Sequence, residues 1–246
     1  MQSLYTQIIS NRAQGKKCFA VLIDPDATSE SALFETIQRC NEAQVDFILV
    51  GGSLITNGYF DTCIETIKTN SNIPCIIFPG NTFQISKKAD AILLLSLISG
   101  RNPELLIGNH VLAAPLLKRS QIEVMSTGYM LIDGGRITSV SYMSNTIPIP
   151  ADKYAIAAST ALAGEMLGMK LIYMDAGSGA LSPVPAALIK EVTAQITVPL
   201  FVGGGIKTEA QALSACQAGA DVIVVGNAVE KDSLLIHRLA AAVHSI

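Results

Sequence analysis

Residues 199–227, PLFVGGGIKTEAQALSACQAGADVIVVGN, contain two short apolar runs on either side of a segment with helical spacing. The first run ends in Gly203–Gly205, and the second ends in Gly226 and Asn227. A strand, a helix and a second strand in this order form a βαβ unit, whose two strands are parallel and buried on both faces. The stretch therefore predicts an α/β fold with a parallel sheet.

The same alternation extends along the rest of the chain. Eight apolar runs are predicted strands, at 18–24, 46–52, 74–80, 91–96, 123–133, 170–177, 199–205 and 221–227. Segments with helical spacing separate most of them, at 29–43, 59–70, 102–117, 153–168, 184–196 and 207–220. Eight strands with helices between them predict a closed (β/α)8 TIM barrel. An open, doubly wound sheet is the alternative, although no G-x-G-x-x-G follows the first strand.

Two connections depart from the regular pattern. Only residues 81–90, NTFQISKKAD, separate the third strand from the fourth, so we expect the crossover helix there to be reduced or missing. Residues 133–153 read as a loop with two prolines, and we interpret them as a hairpin over one face of the barrel. No linker, low-complexity tract or block of charge marks a second domain. We therefore expect residues 1–246 to form a single TIM-barrel domain.

Composition excludes several classes of protein. Half of the residues are hydrophobic and the mean hydropathy is +0.42, yet no uninterrupted apolar stretch reaches the ~18 residues of a transmembrane helix. The N-terminus lacks a secretory signal, which predicts a cytoplasmic protein with reduced cysteines. The 17 basic and 20 acidic residues, net charge −3, favour no nucleic-acid partner. The three histidines lack zinc spacing, which argues against a transition-metal site.

Glycines at the predicted ends of strands 7 and 8 point to a phosphate. Barrel enzymes keep their active sites at the carboxyl ends of the strands, often with a phosphate bound by the loops after these two. Gly204, Gly205, Gly226 and Asn227 occupy these loops. Because glycine lets another group approach the backbone closely, we interpret them as a phosphate site. A tight turn or a close helix contact is the alternative.

Two oxygen donors follow the first two strands. Asp24 ends the first apolar run, and Ser53 follows Gly51 and Gly52 at the end of the second. Mg²⁺ is held by one or two protein oxygens together with substrate phosphates and water. Asp24 and Ser53 are therefore candidate metal ligands, although either residue could instead belong to a turn. Asp26 could simply be part of the cap of the next helix.

The segment YMDAGSGA after strand 6 has the highest density of candidate site residues. Its Gly-Ser-Gly part can expose backbone N–H groups to a phosphate, and the carboxylate of Asp175 can accept hydrogen bonds from a polyol. The alternative is a cap for the next helix, which Pro183 and Pro185 can already begin.

Six motifs in order, LIDPD, GGS, SGRNPE, YMDAGSG, VGGGI and VVGNA, resemble those of the geranylgeranylglyceryl phosphate synthase family of archaea and some bacteria. The resemblance covers essentially the whole chain. It implies a modified TIM barrel that transfers a prenyl group, with geranylgeranyl the expected one, from a prenyl diphosphate to the 3-hydroxyl of sn-glycerol 1-phosphate, with Mg²⁺ required. This reaction makes the first ether bond of archaeal-type lipids.

The resemblance also implies roles for individual residues. Asp24 and Ser53 would hold Mg²⁺, and Tyr129 would lie along the prenyl groove. On chemical grounds, we expect Asp175 to orient the glycerol hydroxyl and accept its proton. The glycerol phosphate would occupy Tyr173, Met174, Asp175, Ala176, Gly177, Ser178 and Gly179, then Gly204, Gly205, Gly226 and Asn227.

The chain departs from the family pattern at one position and differs from one branch at another. The family usually has Glu where this chain has Asp175, which is one methylene shorter. The heptaprenyl branch of Gram-positive bacteria has Lys where this chain has Leu22, so the chain resembles the other branch. A different phosphate-binding barrel enzyme, such as a sugar-phosphate isomerase or an FMN enzyme, and a non-catalytic phosphate-binding module are the alternative functions. We also expect a homo-oligomer, and a peripheral membrane contact for product release.

Overall fold

All eight predicted strands form one closed parallel barrel in the computed structural model, which describes residues 3–246. The last strand pairs with the first, Cys18 beside Val222 and Val21 beside Val225, so the sheet has no free edge. The open-sheet alternative is therefore wrong, and the predicted TIM barrel is confirmed. The strands are β1 (Cys18–Ile23), β2 (Phe47–Val50), β3 (Cys75–Ile77), β4 (Ala91–Leu97), β5 (Glu123–Leu131), β6 (Leu171–Asp175), β7 (Leu200–Gly203) and β8 (Val222–Val225).

Helices occupy all six segments that show helical spacing. The connection between β3 and β4, residues 78–90, contains no helix, as its length predicts. A π-helical turn, Glu104–Gly108, leads directly into α4. The helices are α1 (Leu4–Ala13), α2 (Glu30–Glu42), α3 (Phe60–Asn70), α4 (Asn109–Ser120), α5 (Ser139–Ser144), α6 (Tyr154–Met166), α7 (Ala186–Thr193), α8 (Glu209–Gln217), α9 (Asn227–Lys231) and α10 (Leu235–His244).

The interpretation of residues 133–153 as a hairpin is wrong. Helix α5 lies within this segment, whose one sheet-like contact is a parallel bridge between Ile132 and Ile149. The helix forms because the Ser141 side chain accepts a 2.9 Å hydrogen bond from the Thr138 N–H, in the manner of a capping box. This short local interaction satisfies an N–H at the helix start and outweighs the loop-like composition.

Two apolar cores lie on either side of the barrel wall. Side chains such as Ile48, Met174 and Ile223 pack outward against the helices, while Leu49, Tyr173 and others fill the interior. Burying a large aliphatic or aromatic side chain contributes ~1.5–3 kcal/mol, so this double packing fixes the wall on both faces.

Helix α1 covers the amino ends of the strands. Ile8 packs into the interior cluster, and Glu123, the first residue of β5, accepts hydrogen bonds from the N–H groups of Leu4 and Tyr5 at 2.7 and 3.0 Å. The floor of the barrel is therefore closed, and the carboxyl ends of the strands form the opposite, functional end.

The five cysteines are buried and free, in agreement with the expectation of reduced thiols. Burial raises the pKa of the Cys40 thiol to about 12, which keeps it protonated and unreactive. Among the helices within residues 3–246, none has the combination of length and apolarity that crossing a membrane requires.

Candidate active site

The barrel brings the predicted site residues to its carboxyl end in two neighbouring groups. Asp24 and Ser53 follow β1 and β2 and form one corner of the mouth. The segment 173–179, together with the loops after β7 and β8, forms the other corner. Because β8 pairs with β1, the two corners adjoin. We call them the metal corner and the glycine corner.

Asp175 lies at the inner side of the glycine corner, almost completely buried. The Tyr129 hydroxyl donates a 2.6 Å hydrogen bond to its Oδ2, and the Gly177 N–H donates a 2.7 Å bond to its Oδ1. Burial raises the pKa of Asp175, and these two hydrogen bonds oppose that rise. A carboxylate offers about four acceptor sites, so these two hydrogen bonds do not exhaust the acceptor capacity of Asp175.

Tyr129 lies inside the barrel, and its hydroxyl points at Asp175. Burial, and then the charge of Asp175, raise the pKa of Tyr129 well above its ordinary value, so the hydroxyl stays protonated and donates. The rings of Phe78, Tyr129, Tyr173 and Phe201 pack together, with Phe78 stacked on Tyr173 at a centroid distance of 5.0 Å. This layer of packed aromatic rings is a rigid apolar support for the Asp175 carboxylate.

The three consecutive glycines at the end of β7, Gly203–Gly205, are required by the protein's own atoms. An ideal Cβ on Gly203 would lie 2.5 Å from the Tyr173 hydroxyl, and one on Gly204 would lie 2.5 Å from Asp175 Oδ1. A Cβ on Gly205 would lie 2.5 Å from the Ser182 carbonyl oxygen. Gly204 and Gly205 also have positive φ, +78° and +72°, which L residues with a side chain rarely adopt. The close approach expected at this stretch is therefore made by β6 and by the segment that follows it, whatever else binds there.

Backbone donors at the glycine corner nevertheless remain open to a ligand. Within residues 3–246, the N–H groups of Gly179, Gly204 and Gly205 donate no hydrogen bond to the protein. The Cα of Gly179 faces open space, and the Ser178 hydroxyl reaches across to Asn227 Oδ1 at 2.6 Å. Unpaired N–H groups in neighbouring loops are suited to an anion.

Asp24 lies half-buried at the metal corner. Its Oδ1 accepts a 3.0 Å hydrogen bond from the Asp26 N–H, and its Oδ2 lies 2.8 Å from the position of an ideal Cβ on Gly52. Ser53 is the next residue, so the carboxylate and the serine belong to neighbouring loops in contact. Burial raises the pKa of Asp24, the hydrogen bond from the Asp26 N–H opposes the rise, and the charge of Asp26 adds to it. No basic side chain within residues 3–246 forms an ion pair with Asp24.

The donor set at the metal corner fits Mg²⁺. A carboxylate and a hydroxyl are hard oxygen ligands, and among residues 3–246 no basic side chain pairs with the charge of Asp24. Over the described part of the chain, no group of three or more His, Cys, Asp or Glu side chains could hold a metal ion. This fits a cation that takes its remaining ligands from substrate phosphates and water rather than one held wholly by protein.

Two residues near the metal corner carried no signal in the sequence. Glu230 on α9 lies close to Asp24, and its pKa is raised by burial and then by the Asp24 charge. Gln84 is buried within the helix-free connection 78–90.

Asp26 does not cap α2; its carboxylate accepts from the Thr56 N–H at 2.7 Å, whereas Ser29 is the helix cap.

Comparison with known proteins agrees over almost the whole chain. The profile of the PcrB family matches residues 8–244. A geranylgeranylglyceryl phosphate synthase of Chitinophaga pinensis is 53% identical over 242 residues, covering 98% of this chain and 96% of the relative. One of Spirosoma linguale is 54% identical over 232 residues, covering 94% and 93%.

A solved structure gives the same picture. The crystal structure of (S)-3-O-geranylgeranylglyceryl phosphate synthase from Thermoplasma acidophilum, in complex with its substrate sn-glycerol-1-phosphate, superposes with a TM-score of 0.94. It is 32% identical, and the superposition covers 100% of both chains. The similarity therefore covers the whole length of both chains.

Proposed function

Because this chain belongs to the PcrB family and is a prenyltransferase, we propose that it joins a prenyl diphosphate to the 3-hydroxyl of sn-glycerol 1-phosphate. We propose geranylgeranyl diphosphate as the donor, because the relatives are named for a geranylgeranylglyceryl phosphate product. The reaction would make the first ether bond of archaeal-type lipids.

The observation that carries the proposal is the buried carboxylate beside unpaired N–H groups at the glycine corner. The N–H groups of Gly179, Gly204 and Gly205 would receive the phosphate of the acceptor. Asp175, adjacent to Gly204, would then orient the glycerol hydroxyl and take its proton. Burial favours this role, since a raised carboxyl pKa makes a stronger base.

The diphosphate of the donor would lie at the metal corner. Asp24 and Ser53 would hold Mg²⁺, which supplies positive charge against the leaving diphosphate when it is bound. The allylic C–O bond breaks with its electron pair going to the diphosphate. The glycerol oxygen, held close by its phosphate, forms the new C–O bond to the electron-deficient carbon. Its proton goes to the Asp175 carboxylate.

The alternative functions use only part of this arrangement. A sugar-phosphate isomerase or an FMN enzyme would use the glycine corner but would leave the unpaired Asp24 beside Ser53 without a role. A non-catalytic phosphate-binding module would not need the buried base. Homo-oligomerisation, a cytoplasmic location and a peripheral membrane contact for product release stay predictions.

Incubation with sn-glycerol 1-phosphate and labelled geranylgeranyl diphosphate tests the proposal. We expect a labelled glyceryl ether phosphate and free pyrophosphate, formed with Mg²⁺ and abolished by a chelator. Absence of the ether, with the protein folded and both substrates present, would contradict the proposed reaction.

Substitution of Asp24 tests the metal corner separately. Asp24→Asn keeps the size of the side chain but removes its charge, and turnover should fall about a hundredfold or more. Asp26→Asn changes a neighbouring carboxylate that binds Thr56 instead, and it serves as the matched control. Equal activity in the Asp24 variant and the control would contradict the assignment of Asp24 as a metal ligand.

A further inference from the structure

The connection between β3 and β4 buries two polar side chains, Ser86 and the larger Gln84, which is only 3% exposed. A buried primary amide is costly unless its donors and its acceptor find partners. Because this connection contains no helix, Gln84 lies where the chain passes directly over the strand ends. Its partners therefore belong to the mouth of the barrel.

Both ends of the Gln84 amide are used. Its Nε2 donates a 2.9 Å hydrogen bond to the carbonyl oxygen of Gly52, in the loop after β2. Its Oε1 accepts a 3.0 Å bond from the N–H of Gly80, in the loop after β3. One side chain thus joins two neighbouring loops of the active end.

The peptide between Gly52 and Ser53 is held tightly by its surroundings. An ideal Cβ on Gly80 would lie 2.2 Å from the Gly52 carbonyl oxygen and 2.9 Å from the Ser53 Cα. On the other side, Gly52 contacts the Asp24 carboxylate. A peptide whose carbonyl is bound by Gln84 cannot rotate freely, so the residue that follows it, Ser53, keeps one backbone orientation beside Asp24.

We propose that Gln84 is a positioning residue that holds the Gly52–Ser53 peptide against Asp24 and thereby sets the affinity of the metal corner for a magnesium-bound diphosphate. No crossover helix lies between β3 and β4, and the Gln84 amide instead holds the loops after β2 and β3 together. The inference rests on the proposed function, which assigns the prenyl diphosphate to this corner. Gln84 touches neither substrate in this scheme, and the glycine corner lies outside its contacts.

The isosteric variant Gln84→Glu gives a reversible test. Above the pKa of the new carboxyl group, the carboxylate cannot donate to the Gly52 carbonyl and repels it. Below that pKa, the carboxylic acid donates to Gly52 and accepts from Gly80, as the amide does. Burial against a carbonyl raises such a pKa, so the change should be observable in an accessible pH range.

The measurement is the dissociation constant of magnesium pyrophosphate by calorimetry, with the KM of both substrates in parallel. For Gln84→Glu, we expect magnesium pyrophosphate binding to weaken about tenfold at about pH 8 and to recover toward wild type at about pH 5.5. Gln84→Leu should bind weakly at both pH values. The KM for sn-glycerol 1-phosphate should not change in either variant.

Two controls separate this effect from others. Gln38→Glu adds the same charge on the exposed side of α2 and should leave magnesium pyrophosphate binding unchanged. Each constant is compared with wild type at the same pH, because Asp24 also titrates. Melting temperatures report whether the variants fold, and if Gln84→Leu does not, the pH dependence of Gln84→Glu decides alone.

The inference is overturned if folded Gln84 variants bind magnesium pyrophosphate as wild type does. It is equally overturned if binding of both substrates weakens together with thermal stability, because Gln84 would then be a general structural residue. Failure of the wild type to make the ether would contradict the proposed function only, since the calorimetric binding of magnesium pyrophosphate does not depend on turnover.

Discussion

Asp175 and Tyr129 form the most deeply buried hydrogen-bonded pair of side chains at the site. The bond is 2.6 Å long and joins the carboxylate to a hydroxyl that stays protonated. It holds the shorter side chain of aspartate toward β5 and lowers the Asp175 pKa relative to burial alone. The pair therefore sets both the direction and the basicity of the proposed base.

Tyr129→Phe removes this hydrogen bond while keeping the ring in the aromatic layer. The Asp175 pKa should rise, so the acid limb of the pH dependence of kcat should move to higher pH. At neutral pH, kcat should fall about tenfold, which corresponds to one lost hydrogen bond to a charged group. Tyr142→Phe, at an exposed hydroxyl on α5, is the control. An unmoved acid limb in Tyr129→Phe would show that this bond does not tune Asp175.

At the scale of elements, α1 depends on one side chain from the barrel wall. Glu123 accepts hydrogen bonds from the Ser3 hydroxyl and from the N–H groups of Leu4 and Tyr5, at 2.5, 2.7 and 3.0 Å. A carboxylate at a helix N-terminus also interacts favourably with the helix dipole. Glu123 thereby fastens the helix that closes the barrel floor, far from the proposed chemistry.

Glu123→Gln should loosen α1 and lower the free energy of unfolding by about 1–2 kcal/mol. Burial would raise the Glu123 pKa, but its hydrogen bonds outweigh burial and lower it from 4.5. The stabilisation is therefore present above the unfolded pKa and is lost as pH falls through the lower folded value. Hydrogen exchange of residues 4–13 measures the effect, with the exposed Glu191→Gln as control. Unchanged exchange in α1 would contradict this account of the floor.

At the scale of the whole molecule, Asp46 connects the last helix to the first two strands. Its Oδ2 accepts from the Phe19 N–H of β1 and contacts His244 Nε2 of α10, each at 2.8 Å. The hydrogen bond to Asp46 raises the pKa of His244, while burial opposes the rise. The C-terminal helix is thus held to the barrel by a partly buried pair whose strength depends on pH.

His244→Gln should destabilise the protein at low pH and have little effect at high pH. Because the folded pKa lies above the unfolded value of 6.5, the pair's stabilisation is fully present below 6.5 and disappears as pH rises through the folded value. The free energy of unfolding from urea titrations should be about 0.5–1 kcal/mol lower in the variant at about pH 5.5 and equal to that of wild type at about pH 8.5. His237→Gln, at a more exposed pair, is the control. A difference independent of pH would show that packing, not charge, is involved.

Much of this structure follows from local sequence. Eight apolar runs predicted eight strands, because a strand buried on both faces must be apolar throughout its length. The polar residues that end those runs, such as Asp24 and Asp175, had to gather at one end of the barrel, because all its strands are parallel. The missing helix between β3 and β4 was equally visible, since ten residues cannot form a full crossover.

Only the closed barrel decided which side chains meet. Tyr129 and Asp175 are 46 residues apart, Gln84 and Gly52 are 32 apart, and Glu123 and Leu4 are 119 apart. Such pairs depend on strand register and loop path, which are set by packing over the whole molecule and leave no periodic signal in either segment. The glycines at the end of β7 show the division clearly. Glycine at these positions predicted that another group approaches the backbone closely. Only the tertiary structure decided that Tyr173, Asp175 and Ser182 are the residues that do so.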